Sequence, residues 1–383
     1  MATRTIANGG GNWNSTSTWT QGVVPVAGDA VVATATSGQL TVNVSSACAS
    51  IDLTNYTNTL TMTASLSVTS TVTFVAGMNN IGGTAALICT GTATLTSGGK
   101  AVPALTLQGA ITYTFADDWT VTGVTTVGTS ANNITLNGSN LKCNGNFVVG
   151  TTGSVLGTTT IKLIGTMAWS GTGTVNNNLN FDSGANTVTL NGANLAYGTG
   201  TMTYVSGTLN AGTSGILIKS SCTLTLGSSA HLNNLTFSLA STITLGDNLF
   251  VDGTLTFGNV SCGFLGSFDA QCATLAHSAL TGLRTWTLKS SQTLTVTGSI
   301  TITGVVGTHP LLNASTAGVK AKLTVPVTAT QSLIYADATD IDSSLGQKIF
   351  TAGGALSNTS NWYNSFPVPG GGLAANPIRG FIG

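Results

Sequence analysis

The chain repeats itself at a fixed step. The segments "ITLNGSNLKCNG", "VTLNGANLAYGT" and "ITLGDNLFVDG" begin at Ile134, Val188 and Ile243. Within them Gly138, Gly192 and Gly246, then Asn140, Asn194 and Asn248, then Leu141, Leu195 and Leu249 recur at a spacing of 54. The same step taken backwards carries Leu141 onto Leu87, Cys143 onto Cys89 and Gly145 onto Gly91, and a weaker copy, "LTVTGSITITG", begins at Leu294. A fixed period of this kind specifies a stack of like units rather than an ordinary globular domain.

A step of 54 is too long for one coil of a β-solenoid but divides into three of about eighteen, and "LICTG" at Leu87 and "LTLQG" at Leu105 do lie eighteen apart. Runs such as "TLTMT" and "TIKLIG" alternate apolar residues with threonine, the pattern of strands with one buried face. Glycine and asparagine separate them, as bends between solenoid faces require. Sandwiches share the alternation but do not repeat their sequence at a fixed step. The expected fold is therefore all-β, a single-stranded parallel β-helix of about thirteen to sixteen coils. Leu87, Leu141, Leu195 and Leu249 are its expected repeating core.

Composition agrees. Only 6% of residues are charged and all eleven acids are aspartate, so the chain lacks the glutamate that helices favour while threonine and valine abound. Disordered chains are poor in β-branched residues and rich in net charge, whereas here the net charge is zero. Eleven basic residues scattered singly exclude a phosphate-tracking surface, so no nucleic-acid partner is expected. No apolar run is long enough to span a membrane, and "MATRTIANGG" has no apolar core, so neither a membrane partner nor a secretory signal is expected.

An open terminal coil exposes unpaired backbone groups, so a solenoid needs capped ends. Residues 1–36, with "GNWNSTSTWTQGVVPVAGD", carry Trp13, Trp19, Pro25 and Asp29 before the first regular strands and are the expected N-terminal cap. Residues 37–304 form the expected β-helix. The pattern changes after 304, which marks 305–366 as an expected C-terminal β module and 367–383 as an extended arm rich in proline and glycine. Pro367, Pro369, Pro377 and Arg379 of that arm are the candidate docking residues.

Few residues suggest chemistry. Enzymes on β-helices that cut polysaccharides use carboxylates on neighbouring coils. Asp247 with Asp252 is the candidate pair here, beside Asp117, Asp118, Asp182 and Asp269. Asp117 and Asp118 are adjacent and point to opposite faces of a strand, so they form no dyad together. His231, His277 and His309 have no acid close by in sequence. Asp337, Asp340 and Asp342 are clustered as an ion site would need, but lack the glycine turn and distal acid of a calcium loop. Trp13 and Trp19, like Trp119 and Trp169, have the shape to stack on a sugar, with packing against the first coil as the competing reading. Cys48, Cys89, Cys143 and Cys222 read as buried thiols, and Cys262 with Cys272 as the one pair close enough to bridge a loop. No cofactor, structural metal or catalytic group is expected.

The opening "GNWNSTSTWTQGVVPVAGD", with "ACASIDLTNYTNTLTM" after it and "LIYADATDIDSS" with "GGALSNTSNW" near the end, resembles glycine- and threonine-rich β-helical virion proteins of tailed bacteriophages. The likeness covers both ends of the chain. It implies a structural protein made in the host cytoplasm and assembled on the particle. The expected role is capsid decoration on the head, as a homotrimer in contact with the major capsid protein or other virion proteins. A tail fibre or tailspike subunit that binds host glycans, a polysaccharide-degrading enzyme and a bacterial adhesin are the alternatives.

Overall fold

The computed structural model describes residues 1–128, 133–150, 153–190, 194–277, 282–365, 367–368 and 372–373. Parallel strands stack into a β-solenoid of about 15 turns, and the one helical element among these residues is a 3-10 turn at Thr16–Thr18. None of it is a helix long and apolar enough to cross a membrane. The chain divides into two compact units, Met1–Ala196 with Thr203–Asn210, and Tyr197–Met202 with Ala211–Gly383.

In the first unit each coil contributes short strands to three faces. One face runs from Thr3–Thr5 through Ala30–Val32 to Ser50–Asp52. Another runs from Ser46–Cys48 through Leu66–Val68 and Ala86–Cys89 to Ala104–Leu107. The third includes Trp119–Val121, Leu141–Cys143 and Ile161–Leu163. The strand Leu40–Val42 shows why the sequence folds so: Leu40 and Val42 are buried and Thr41 between them is half-exposed. Burying each such aliphatic side chain contributes about 1.5–3 kcal/mol, and the outward threonine keeps the surface wet without charge.

Leu87 and Leu105 are direct partners across adjacent coils, eighteen residues apart as their spacing predicts. The division of the 54-residue step into three such coils does not hold. The stack from Leu87 continues to Thr125 and then Phe147, so three coils take sixty residues. Leu141 lies instead on a different face, paired with Trp119 and Ile161. Fifty-four residues therefore advance the chain by less than three coils. Leu87 and Leu141 stand at buried positions of strands with alternating burial, but on two different faces. All four repeat leucines are nonetheless in the core, Leu87, Leu141 and Leu195 with no exposed surface and Leu249 with 1%.

Parallel stacking begins inside the stretch expected to be a cap. Thr3–Thr5 pairs with Ala30–Val32, and Gly11–Asn12 with Leu40–Val42.

The second unit is wound the same way with longer strands. Leu249–Phe257 and Ala270–His277 run side by side with one shift in register, between the pair Val251–Cys272 and the pair Thr254–Thr274. The change of sequence character at residue 305 is not a change of pairing: Pro310–Ala314 stacks on Arg284–Leu288 and then under Asp337–Thr339. What changes is coil length, since Trp286 and Leu312 are partners 26 residues apart. The additional residues form turns closed by single antiparallel bridges, Val305 with Thr308 and Thr316 with Val319. Of the expected arm, Pro367–Val368 pairs antiparallel with Gly372–Leu373. Pro369, Pro377 and Arg379 lie outside the described residues.

Candidate functional site

The aromatic opening is folded inward. Trp13 and Trp19 are 1% and 2% exposed, so neither offers a ring face to a sugar. Trp19 follows the 3-10 turn, and its neighbour Ile6 bridges back to it in antiparallel fashion. Pro25 is buried in the loop that follows. Asp29, also buried, accepts hydrogen bonds from Arg4 Nε at 2.8 Å, from the Val26 amide at 3.2 Å and from the Ala2 amide at 3.3 Å. The Arg4 guanidinium, helped by those amides, holds the Asp29 carboxyl below the usual carboxylate range. Trp119 and Trp169 are likewise buried, the latter stacked on its register partner Phe147 with ring centroids 5.0 Å apart.

The candidate carboxylates are spent on the turns. Asp117 reaches back one coil and accepts from the Ser97 and Gly98 amides at 2.7 and 2.8 Å. Asp118 reaches forward and accepts from the Asn140 amide and side chain, with Lys142 Nζ 2.7 Å away. The Lys142 bond is the main reason that its carboxyl sits below the normal range. Asp182 accepts from Ser206 Oγ at 2.8 Å, and Asp269 from the Thr293 amide at 2.7 Å.

Asp247 and Asp252 bond elsewhere rather than to each other. Asp247 accepts from the Asn248 amide next to it, whereas Asp252 pairs with His231 Nδ1 at 2.8 Å. In the acidic cluster Asp337 accepts from the Ala355 amide and faces His309 Nδ1 at 2.9 Å. Asp340 accepts from the Gly318 amide and from Asn358, and those bonds keep its carboxyl below the usual range. Asp342 accepts from the Ser344 amide. No group of three or more metal-ligating side chains occurs among the described residues.

The two histidine–aspartate pairs were not visible from sequence proximity, because their partners are 21 and 28 residues apart. One coil length is the signal that connects them. All six cysteines are free and buried, Cys262 and Cys272 included, and burial pushes each thiol up to about 12. At neutral pH they behave as small apolar side chains.

The second unit also carries a surface groove of about 410 Å³ that crosses successive coils. It lies over Ser241–Leu245, Cys262–Gly266 and Arg284–Leu288. Its floor is Gly263, whose register partners on either side are Thr242 and Thr287. A Cβ at Gly263 would fall 2.4 Å from the Thr287 carbonyl oxygen, so only glycine allows this close approach. The missing side chain sinks the outer face between two threonines.

Comparison with known proteins finds no match among family models, curated proteins or solved structures. Among the described residues several ionisable side chains, Asp117, Asp118 and Asp269 among them, join one coil to the next. The groove over Gly263 has no charged residue in its lining, whereas a wider one of about 710 Å³ beside Gln347 and Phe350 includes Lys348.

Proposed function

We propose that this chain is a non-catalytic structural protein of a tailed-phage particle, set on the head surface as a decoration protein. The observation that carries the reading is the use made of the acids. Asp117 and Asp118, adjacent in sequence, cap the coils on opposite sides, and the other candidate carboxylates bond turn amides, hydroxyls or a histidine. A hydrolytic site needs two carboxyl groups facing one scissile bond. Here that chemistry is given to stacking. A charge-poor solenoid with threonine on its outer faces supplies a stiff, soluble body, and the likeness of both chain ends to phage virion proteins supplies the setting.

On this reading the partners are the major capsid protein or other virion proteins and further copies of the chain, as a homotrimer. The protein is made in the host cytoplasm and resides in the virion. The test is reconstitution: purified protein added to particles that lack it should sediment with them and saturate at many copies per particle. Failure to sediment with particles would contradict the proposal, as would cleavage of host polysaccharide by the purified chain.

A further inference from the structure

We infer that the groove floored by Gly263 is a binding site for a short neutral oligosaccharide. Four successive coils line it, through Ser221, then Thr242, then Ser261 and Leu265, then Thr285 and Thr287. At the usual spacing between strands that is a track on the order of 14 Å long. None of the lining residues carries a charge. A volume of about 410 Å³ lies within the range of small-molecule sites.

The hydroxyls are set up to donate outward. Ser221 Oγ accepts the Thr242 amide at 3.0 Å, and Ser261 Oγ accepts the Thr285 amide at 3.1 Å. A serine hydroxyl has one proton and two lone pairs, so each keeps its proton for an acceptor in the groove. Both serines are exposed. Exposed Ala240 and Leu265 add an apolar rim on which the C–H face of a sugar ring can rest.

Other ligand classes fit less well. A peptide strand binds by adding to a sheet edge. Ser241–Leu245 pairs with the whole of Cys262–Gly266 on one side, and on the other Trp286 and Thr287 pair with Cys262 and Gly263, the part of the strand that floors the groove. An anionic sugar or a phosphorylated ligand would find no cation in the lining. Recognition through hydroxyls and a small apolar rim suits a neutral, hydroxyl-rich ligand. This inference is independent of where the protein sits on a particle.

The test is an array of neutral and acidic oligosaccharides probed with the full-length chain, followed by titration calorimetry on maltotriose, cellotriose, chitotriose and trigalacturonate. At least one neutral glycan should bind, and acidic ones should bind about tenfold more weakly or not at all. Ala240→Trp fills the rim from an exposed position and should weaken binding by about tenfold or more with the melting temperature unchanged. Thr287→Val, close in size, removes one hydroxyl and should weaken binding while the fold is retained. Three results would overturn the inference: no neutral glycan binding anywhere on the array, neutral binding undiminished in both variants, or equal binding of trigalacturonate.

Discussion

Trp19 donates its indole N–H to the backbone carbonyl of Trp13 across 2.9 Å, and the two rings meet edge to face with centroids 5.1 Å apart. The pair that most suggested a binding site in the sequence is thus satisfied internally. Its geometry adds about 0.5–1.5 kcal/mol to what burial alone contributes.

Replacing Trp19 with alanine should therefore cost about 3–5 kcal/mol, from the cavity and the lost ring contact. Trp19→Phe should cost less but still measurably, since it leaves the Trp13 carbonyl without its buried donor, a loss of about 1–3 kcal/mol. Chemical denaturation of the two variants checks the order. Equal, negligible effects would mean that the first coil does not depend on this pair.

The repeat glycines mark where one coil abuts the next. A Cβ at Gly145 would fall 2.5 Å from the Gly123 carbonyl oxygen, and one at Gly91 would fall 1.9 Å from that of Thr69. Gly145→Ala should lower stability by about 1–3 kcal/mol, as overpacking does. Gly77→Ala, where nothing lies within 4 Å, should leave the melting temperature nearly unchanged.

Much of this fold was legible because each face obeys a local rule. Leu87 and Leu105 paired as their spacing foretold, and threonine alternating with apolar residues identified which side faced out in strands such as Leu40–Val42 and Ala104–Leu107. The coil count per repeat was not legible. Faces with one shared motif are indistinguishable in sequence, so Leu141 read as stacked over Leu87 when it belongs to another face. The site was hidden for a related reason. Gly263 looks like any other strand glycine until its register with Thr242 and Thr287 is known. His231 and Asp252 likewise meet only once the intervening coil has been wound.

The bond network around Asp29 predicts a local acid response. Its folded-state carboxyl is depressed chiefly by Arg4, so its stabilisation is present above the unfolded value of about 4 and is lost as pH falls through the lower folded value. The Val26 amide resonance should lose its bonded shift in that acidic window. In Asp29→Asn the shift should be altered at neutral pH and show no acid step, whereas an unchanged titration would assign it to another group.

The expected docking arm gives a separable prediction. A chain truncated after Phe366, and so without Pro367, Pro369, Pro377 and Arg379, should keep its thermal transition but fail to sediment with particles. Full occupancy by the truncated chain would remove the arm from the account.

The most direct measurement of the central proposal is an image of purified phage particles carrying a label on this protein. Many copies spread over the head are predicted. Label confined to the tail, or none on particles, would contradict it.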